Sequence, residues 1–166
     1  KETSGVIVVA KTAVALAALQ RQFKDRLVDK TYVALVYGKL APREGNIAVP
    51  IGRSKQNRER FTVMPGGRPA ETEYTVKNYY DGYTLVELRP KTGRTHQLRV
   101  HLAYLGHPVV GDERYAGEKQ RKLGRGMWGR QWLHAQRLSL THPKTGKRMV
   151  WEAKLPAELN LAKMKG

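Results

Sequence analysis

Arg99 is the residue of this chain that most needs a chemical explanation. It lies in Lys91-Thr-Gly-Arg-Thr-His-Gln-Leu-Arg-Val-His-Leu-Ala-Tyr-Leu-Gly-His-Pro-Val-Val-Gly-Asp112, a segment that continues to Tyr115. The pattern predicts a loop feeding a capped amphipathic helix from Thr95 to Leu105, with Leu98, Leu102 and Leu105 as its apolar stripe. Arg99 falls beside Leu102 and Ala103, at the edge of that stripe. A guanidinium there has two options. It can snorkel, with its stem on the core and its head in water. Or it can sit half buried and hold a carboxylate through a two-point, charge-assisted pair. The acids that could serve are Glu2, Glu71 and Asp112, and none has a position that demands the role.

The other reactive side chains narrow the chemistry by what they fail to form. The histidines are His96, His101, His107, His134 and His142. His96 and His101 are five apart, which turns them to different helix faces, whereas zinc-protease spacing is four. There is no cysteine, hence no thiolate ligand, cysteine nucleophile or disulfide framework. No metal site is expected, and the histidines are read as hydrogen-bonding groups within the fold, some of them contacting phosphate. Gly93, Gly106, Gly111 and Gly117 match neither phosphate-loop pattern, and no nucleophile elbow occurs. Tyr32 opens an apolar strand with Ala34 and Val36 on its side. Such a tyrosine is commonly a core residue, but its ring could also stack on an extruded base.

Charge points to the partner. Lys plus Arg number 31 against 14 for Asp plus Glu, a formal net charge of +17, so a polyanion is expected to bind, nucleic acid first. The basic residues gather in three places: Arg53, Lys55, Arg58 and Arg60; Arg89, Lys91 and Arg94; and Lys119, Arg121, Lys122, Arg125 and Arg130. The summed field should bind phosphate in a salt-dependent way. The third cluster, carrying Trp128 among glycines, has the makings of an adaptable RNA clamp. RNA is favoured over duplex DNA because no recognition-helix or zipper pattern appears. No apolar run is long enough to span a bilayer, so no membrane partner is expected.

These residues need elements to hold them. Val6-Ile-Val-Val-Ala10 has the unbroken apolar run of a strand covered on both faces. Thr12 is a plausible N-cap for a helix bearing Leu16, Leu19, Phe23 and Leu27. Thr31 to Gly38 predicts a second strand. From Arg43 to Pro69 the chain is irregular, with short strands near Ile47 and Phe61. Thr72–Tyr80 and Tyr83–Arg89 flank Asp81-Gly82, a hairpin signal. Gly106 and Pro108 stop the helix that carries Arg99. Gly111 to Gln131 shows little periodicity and reads as a long loop of the kind that is functional or mobile. Trp132–Leu140 and Lys147–Ala153 pair across a turn at Pro143 to Gly146. The expected class is α+β with a mixed, mostly antiparallel sheet. A chain that enters an apolar strand so soon after Lys1 reads as an N-terminally truncated fragment over 1–166.

In combination these motifs resemble a known family. Thr92-Gly-Arg-Thr-His-Gln-Leu-Arg-Val-His101, then Gly106-His-Pro-Val-Val-Gly-Asp112 and Tyr115, is similar to the third motif of the RluA-type RNA pseudouridine synthases. Lys30-Thr-Tyr-Val-Ala-Leu-Val-Tyr-Gly38 resembles the family's tyrosine-bearing motif. Leu133-His-Ala135 and Thr141-His-Pro143 resemble its C-terminal signature, and Lys1–Ala10 the segment directly after its His-Arg-Leu-Asp. The resemblance implies a pseudouridine-synthase fold with flanking helices and an RNA-binding cleft. It implies isomerisation of uridine in ribosomal or transfer RNA by base flipping, without cofactor, by an enzyme of the cytoplasm, expected as a monomer. The catalytic aspartate would immediately precede Lys1, so this chain alone is expected to be inactive. Carried over, Tyr32 is the active-site tyrosine, Arg99 the arginine that pairs with that aspartate, and Leu133 a hydrophobic residue near the base. RNA contacts are expected from Arg53, Lys55, Arg58, Lys91, Arg94, His96, Lys119, Arg121, Lys122 and Arg125. The competing expectation is a non-catalytic basic RNA-binding module on the same scaffold.

Overall fold

The computed structural model describes residues 2–161, the side chains of residues 125–127 excepted. In chain order the strands are β1 (Ser4–Gly5), β2 (Asp29–Tyr37), β3 (Glu44–Ala48), β4 (Ile51–Arg53), β5 (Phe61–Val63), β6 (Glu71–Tyr80), β7 (Tyr83–Pro90), β8 (Leu133–Thr141) and β9 (Arg148–Glu152). The helices are α1 (Ala13–Lys24), α2 (Gln97–Tyr104) and α3 (Glu118–Trp128), with a 3-10 turn at Ala157–Leu159. The main sheet runs β1-β8-β2-β7-β6-β3, with β9 also on β8, while β4 and β5 form a separate hairpin. All pairs in it are antiparallel except β1 with β8. The architecture is α+β, as expected from the sequence.

Alternation along β2 splits the core between the two faces of the sheet. Ala34 and Val36 pack with Val86, Leu88, Leu133 and the α2 residues Leu98 and Leu102, and Tyr32 joins this side. Leu35 and Tyr37 pack on the other side with Val110, Trp128, Trp132 and Leu159. The Asp81-Gly82 hairpin forms as read, with Tyr80 opposite Tyr83 and Gly82 at φ 73°, a left-handed turn position that suits glycine.

Three expectations are corrected. First, Val6–Ala10 is not a doubly covered strand. Its pairing ends at the bond from Val6 N–H to the Ala135 carbonyl, because β9 takes the edge of β8 from Arg137 to Thr141. The segment peels away, laying Val6, Val8 and Ala10 on Leu19, Val28, Leu138 and Leu140, and leaving Ile7 and Val9 exposed. Second, the α1 stripe is only partly used: Leu19 is buried, whereas Leu16, Phe23 and Leu27 are exposed. The Thr12 cap does form, its hydroxyl accepting from Ala15 N–H at 3.2 Å. Third, Gly111–Gln131 is not one long loop, since α3 fills its second half and buries Trp128. Glycine inside a helix argues against that helix in a sequence, but Gly124 has a packing reason. A Cβ there would lie 2.6 Å from the Tyr37 hydroxyl and 2.7 Å from the Gly111 nitrogen.

Candidate active site

The start of α2 is fixed by one amide. Gln97 is buried and uses both ends of its side chain. Its Oε1 accepts from the Thr92 hydroxyl at 2.8 Å and from Arg94 N–H at 2.9 Å. Its Nε2 donates to the Glu71 carbonyl at 2.9 Å and the Thr72 hydroxyl at 3.0 Å. One turn on, His101 is fully buried, with Nδ1 3.0 Å from the Thr72 hydroxyl and Nε2 3.2 Å from the Val49 carbonyl. Burial lowers its pKa below the ordinary histidine value, so the ring is neutral near pH 7. In that state Nε2–H donates to Val49 and Nδ1 accepts from Thr72. The helix begins at Gln97 rather than Thr95, and the side-chain cap expected of it does not form. His96 precedes the helix at φ 56°, a left-handed conformation that histidine tolerates better than most residues, and the Gln97 amide folding back to Arg94 closes the turn.

Two residues beyond Gln97, Arg99 meets its acid. Its Nε lies 2.7 Å from Asp112 Oδ2 and its Nη2 2.7 Å from Oδ1. The Asp112 side chain is 0% exposed and that of Arg99 12%, so the snorkelling alternative does not hold. Oδ1 also accepts from the backbone N–H groups of Arg114 at 2.9 Å and Tyr115 at 3.0 Å, and the guanidinium carbon sits 5.0 Å from the centre of the Tyr115 ring. Gly111 sets this turn at φ 73°, where a Cβ would meet the Arg130 carbonyl oxygen at 2.0 Å. Of the three acids in the chain that could have served, Asp112 is the partner.

Tyr115 ties the β4–β5 hairpin to this pair. Its hydroxyl oxygen accepts from Phe61 N–H at 3.2 Å and lies 2.8 Å from His96 Nδ1. Since the oxygen already accepts, its proton is available to His96. Desolvation first, then the nearby Arg99 and Arg114 charges, push the His96 pKa down against the opposing pull of Asp112. His96 is therefore a neutral ring in the wall of the site rather than a cation near pH 7.

In front of α2 lies a cavity of about 410 Å³, lined by Tyr32, Leu133 and Arg99 together with Thr3, Phe23, Lys30, Arg94, His96, Gln97 and Gln131. Three residues singled out from separate stretches of sequence thus line one cavity. Burial raises the Tyr32 pKa above its ordinary value, so the phenol keeps its proton. Leu133 is buried beside it, paired in register with Ala34. The N-terminal segment is pinned next to the cavity. Gln131 Nε2 donates to Thr3 Oγ1 at 2.9 Å, the Ser4 hydroxyl lies 2.8 Å from His134 Nδ1, and Gly5 at φ 112° lies so close to Ala135 that a Cβ would sit 2.1 Å from its carbonyl oxygen.

The first 104 residues of the chain match a model described as RNA pseudouridylate synthase. The chain belongs to that family. It is 46% identical to the dual-specificity RNA pseudouridine synthase RluA of Escherichia coli (strain K12), over 91% of this chain and 68% of that protein. It is 43% identical to an uncharacterized RNA pseudouridine synthase of Chloroflexus aurantiacus, over 97% of this chain and 49% of that protein. Among solved structures, the human RNA pseudouridylate synthase domain containing 1 superposes with a TM-score of 0.77 at 32% identity, covering 92% of this chain and 65% of the other. The chain thus spans about half the length of curated relatives such as the Chloroflexus protein. The pseudouridine-synthase fold and the RluA-type kinship expected from the motifs both hold.

The basic residues divide around this family scaffold. Arg53 and Arg94 line a second groove of about 610 Å³, with Arg68 and Phe61. Arg53 stacks over Phe61 at 5.4 Å and donates to the Arg58 carbonyl at 3.1 Å, while Arg94 Nε donates to the Pro69 carbonyl at 3.0 Å. Lys55 and Arg58 are exposed on the same hairpin loop. Lys91, paired with Glu73 at 2.8 Å, lines a third, polar groove of about 690 Å³. Lys119, Arg121 and Lys122 lie on α3, whose Trp128 packs on the face of the sheet away from Tyr32, so the structure does not bring them to the cavity. The Arg125 side chain lies outside the described residues.

Sequence reasoning missed Thr3, Phe23, Lys30, Gln97 and Gln131 as cavity residues. Phe23 looked like helix core and Lys30 like a strand flank, and nothing local marked them. The fully satisfied Gln97 amide was the one legible signal, a polar residue directly before the apolar stripe.

Proposed function

We propose that this protein isomerises uridine to pseudouridine in ribosomal or transfer RNA, using an aspartate expected directly before Lys1. One observation carries the reading: Tyr32, Arg99 and Leu133 converge on a cavity whose rim includes Thr3, within reach of the chain's first residues. A uracil leaving the RNA stack costs a few kcal/mol, offset by stacking and hydrogen bonds in the pocket. Tyr32, kept as a neutral phenol by burial, offers a ring face that tolerates rotation of a detached base. Arg99 spends Nε and one Nη2 proton on Asp112, and the rest of its guanidinium remains for a second carboxylate. A guanidinium braced in this way would hold that acid ionised in a desolvated site, as chemistry on the nucleoside requires. Arg53, Lys91 and Arg94, which line two grooves beside the cavity, and the exposed Lys55 and Arg58 of the β4–β5 hairpin loop are read as the phosphate contacts that seat the RNA. The same reading has the enzyme act as a monomer in the cytoplasm, without a cofactor.

The test is tritium release from unmodified ribosomal and transfer RNA transcripts made with 5-tritiated uridine, using the full-length protein. Release that needs both Arg99 and the upstream aspartate is the expected result. Salt-sensitive RNA binding with no release from either RNA class, by a folded protein, would establish the non-catalytic binding module instead.

A further inference from the structure

Lys30 is shared between two hollows. It lines the cavity with Tyr32 and Arg99, and it also lines the polar groove of about 690 Å³ that Arg26, Arg89, Lys91 and Arg137 surround. On β2 it stands two residues before Tyr32, on the same face and about 6–7 Å away along the strand. Its amino group rests on the loop before α2, 3.3 Å from the Thr92 carbonyl and 4.0 Å from where a Cβ on Gly93 would be, and 6.0 Å from the centre of the Phe23 ring.

The groove's acids are all engaged elsewhere. Asp29 pairs with Arg148, Glu73 with Lys91, and Glu71 accepts from the Asn46 amide. Among the described residues, none of these acids pairs with Lys30. A half-buried ammonium without a counter-anion is costly unless a ligand supplies one. Desolvation of this amino group, which lowers its pKa, expresses the same deficit.

We infer that Lys30 binds an RNA phosphate where the cavity opens into the groove, seating the backbone of the nucleotide whose base stacks on Tyr32. This rests on the proposed function and adds to it an anchor for the flipped nucleotide and a path for the flanking strand, along the groove of Arg26, Arg89 and Arg137. A base and its own phosphate are separated by a step of the same order as that between Tyr32 and Lys30. The contact is made alike in ground state and transition state, so it should act on binding rather than on the chemical step.

Lys30→Met in the full-length protein keeps the stem and removes the charge. Binding is read on polyuridylate across a salt series, and turnover on pooled unmodified ribosomal and transfer RNA transcripts. The expected result is a Kd raised about tenfold and a log-log salt slope smaller by about 0.7, one single-strand phosphate contact. KM should rise with kcat nearly unchanged, and Lys30→Arg should restore most of the affinity. An unchanged Kd and slope, or a loss confined to kcat, would overturn the assignment. Lys30→Gln takes over the same measurements if the methionine variant melts early. Absence of turnover by the unsubstituted protein would sink the isomerase reading alone, because the polyuridylate arm still decides for or against Lys30.

Discussion

Arg99 and Asp112 form a side-on pair in which both carboxylate oxygens are held by one edge of the guanidinium, at 2.7 Å each. The acid behind the arginine is therefore structural. It also caps the turn through Arg114 and Tyr115, and it aims the guanidinium at the cavity that Tyr32 and Leu133 line. Asp112→Ala would leave a nearly buried cation and two backbone N–H groups without their acceptor. A loss of about 3–5 kcal/mol of stability is expected, measured by urea unfolding. Arg99→Lys keeps the charge but cannot form the two-point pair. Turnover should fall about a hundredfold while RNA affinity changes little. A parallel loss of affinity and turnover would mean that Arg99 simply contacts phosphate.

Gln97 satisfies four backbone or hydroxyl partners on two segments, β6 and the loop before α2, and Arg99 follows it by half a turn. Gln97→Leu fits the volume but leaves the Arg94 N–H without its acceptor. It also takes one partner each from the Glu71 carbonyl and the Thr72 and Thr92 hydroxyls, which keep Lys91 N–H, His101 and Glu71 N–H respectively. The expected cost is about 1–3 kcal/mol, the penalty for one polar group left unpaired together with the weakening of three others. Amide hydrogen exchange at Arg94 should accelerate in the variant. If protection there persists and stability is unchanged, the amide does not hold the start of α2.

Much of this arrangement could be read from residue order, and the parts that could not have physical causes. The hairpin at Asp81-Gly82, the helix stop at Gly106 and the strand bearing Tyr32 are set by local turn chemistry and periodicity, which a sequence displays. Val6–Ala10 looked like a covered strand because its apolar run is local, whereas the occupant of the β8 edge, Arg148–Glu152, is more than a hundred residues away. The helix α3 was hidden by Gly124, whose reason is the close approach of Tyr37 and Gly111. Asp112 stood among the candidates for Arg99. Choosing it required the fold of the turn after Gly111, where two backbone N–H groups and a guanidinium converge on one carboxylate.

Two histidines give the fold a predictable response to acid. The pKa values of His96 and His101 are both lowered from the ordinary 6.5, in each case chiefly by desolvation. Below that value the unfolded chain takes up protons that the folded chain resists, so stability present above about pH 6.5 is lost as pH falls toward the folded-state values. Thermal melts from about pH 8 down to about pH 5 should show a falling Tm. His101→Gln, which retains a donor for the Val49 carbonyl and an acceptor for Thr72, should flatten that decline while lowering Tm somewhat at neutral pH. A Tm that holds or rises on acidification would contradict the neutral, buried state assigned to these rings.

Tyr32 allows the stacking and proton-transfer roles to be separated. Desolvation raises its pKa above the ordinary tyrosine value, so no phenolate is available near neutrality and the hydroxyl acts, if at all, as a neutral donor or acceptor. Tyr32→Leu removes the ring and with it a base-stacking contribution of about 1–3 kcal/mol, which should appear as weaker binding and slower turnover together. Tyr32→Phe keeps the ring, so RNA affinity should stay near that of the unsubstituted protein. Any further fall in kcat then measures the hydroxyl alone. Because the phenol is neutral throughout, the rate profile of the unsubstituted protein should show no tyrosine ionisation below the ordinary value of 10.0. An alkaline limb below that pH which disappears in Tyr32→Phe would show instead that the phenolate takes part, and would place the tyrosine in a more polar setting than its strand provides.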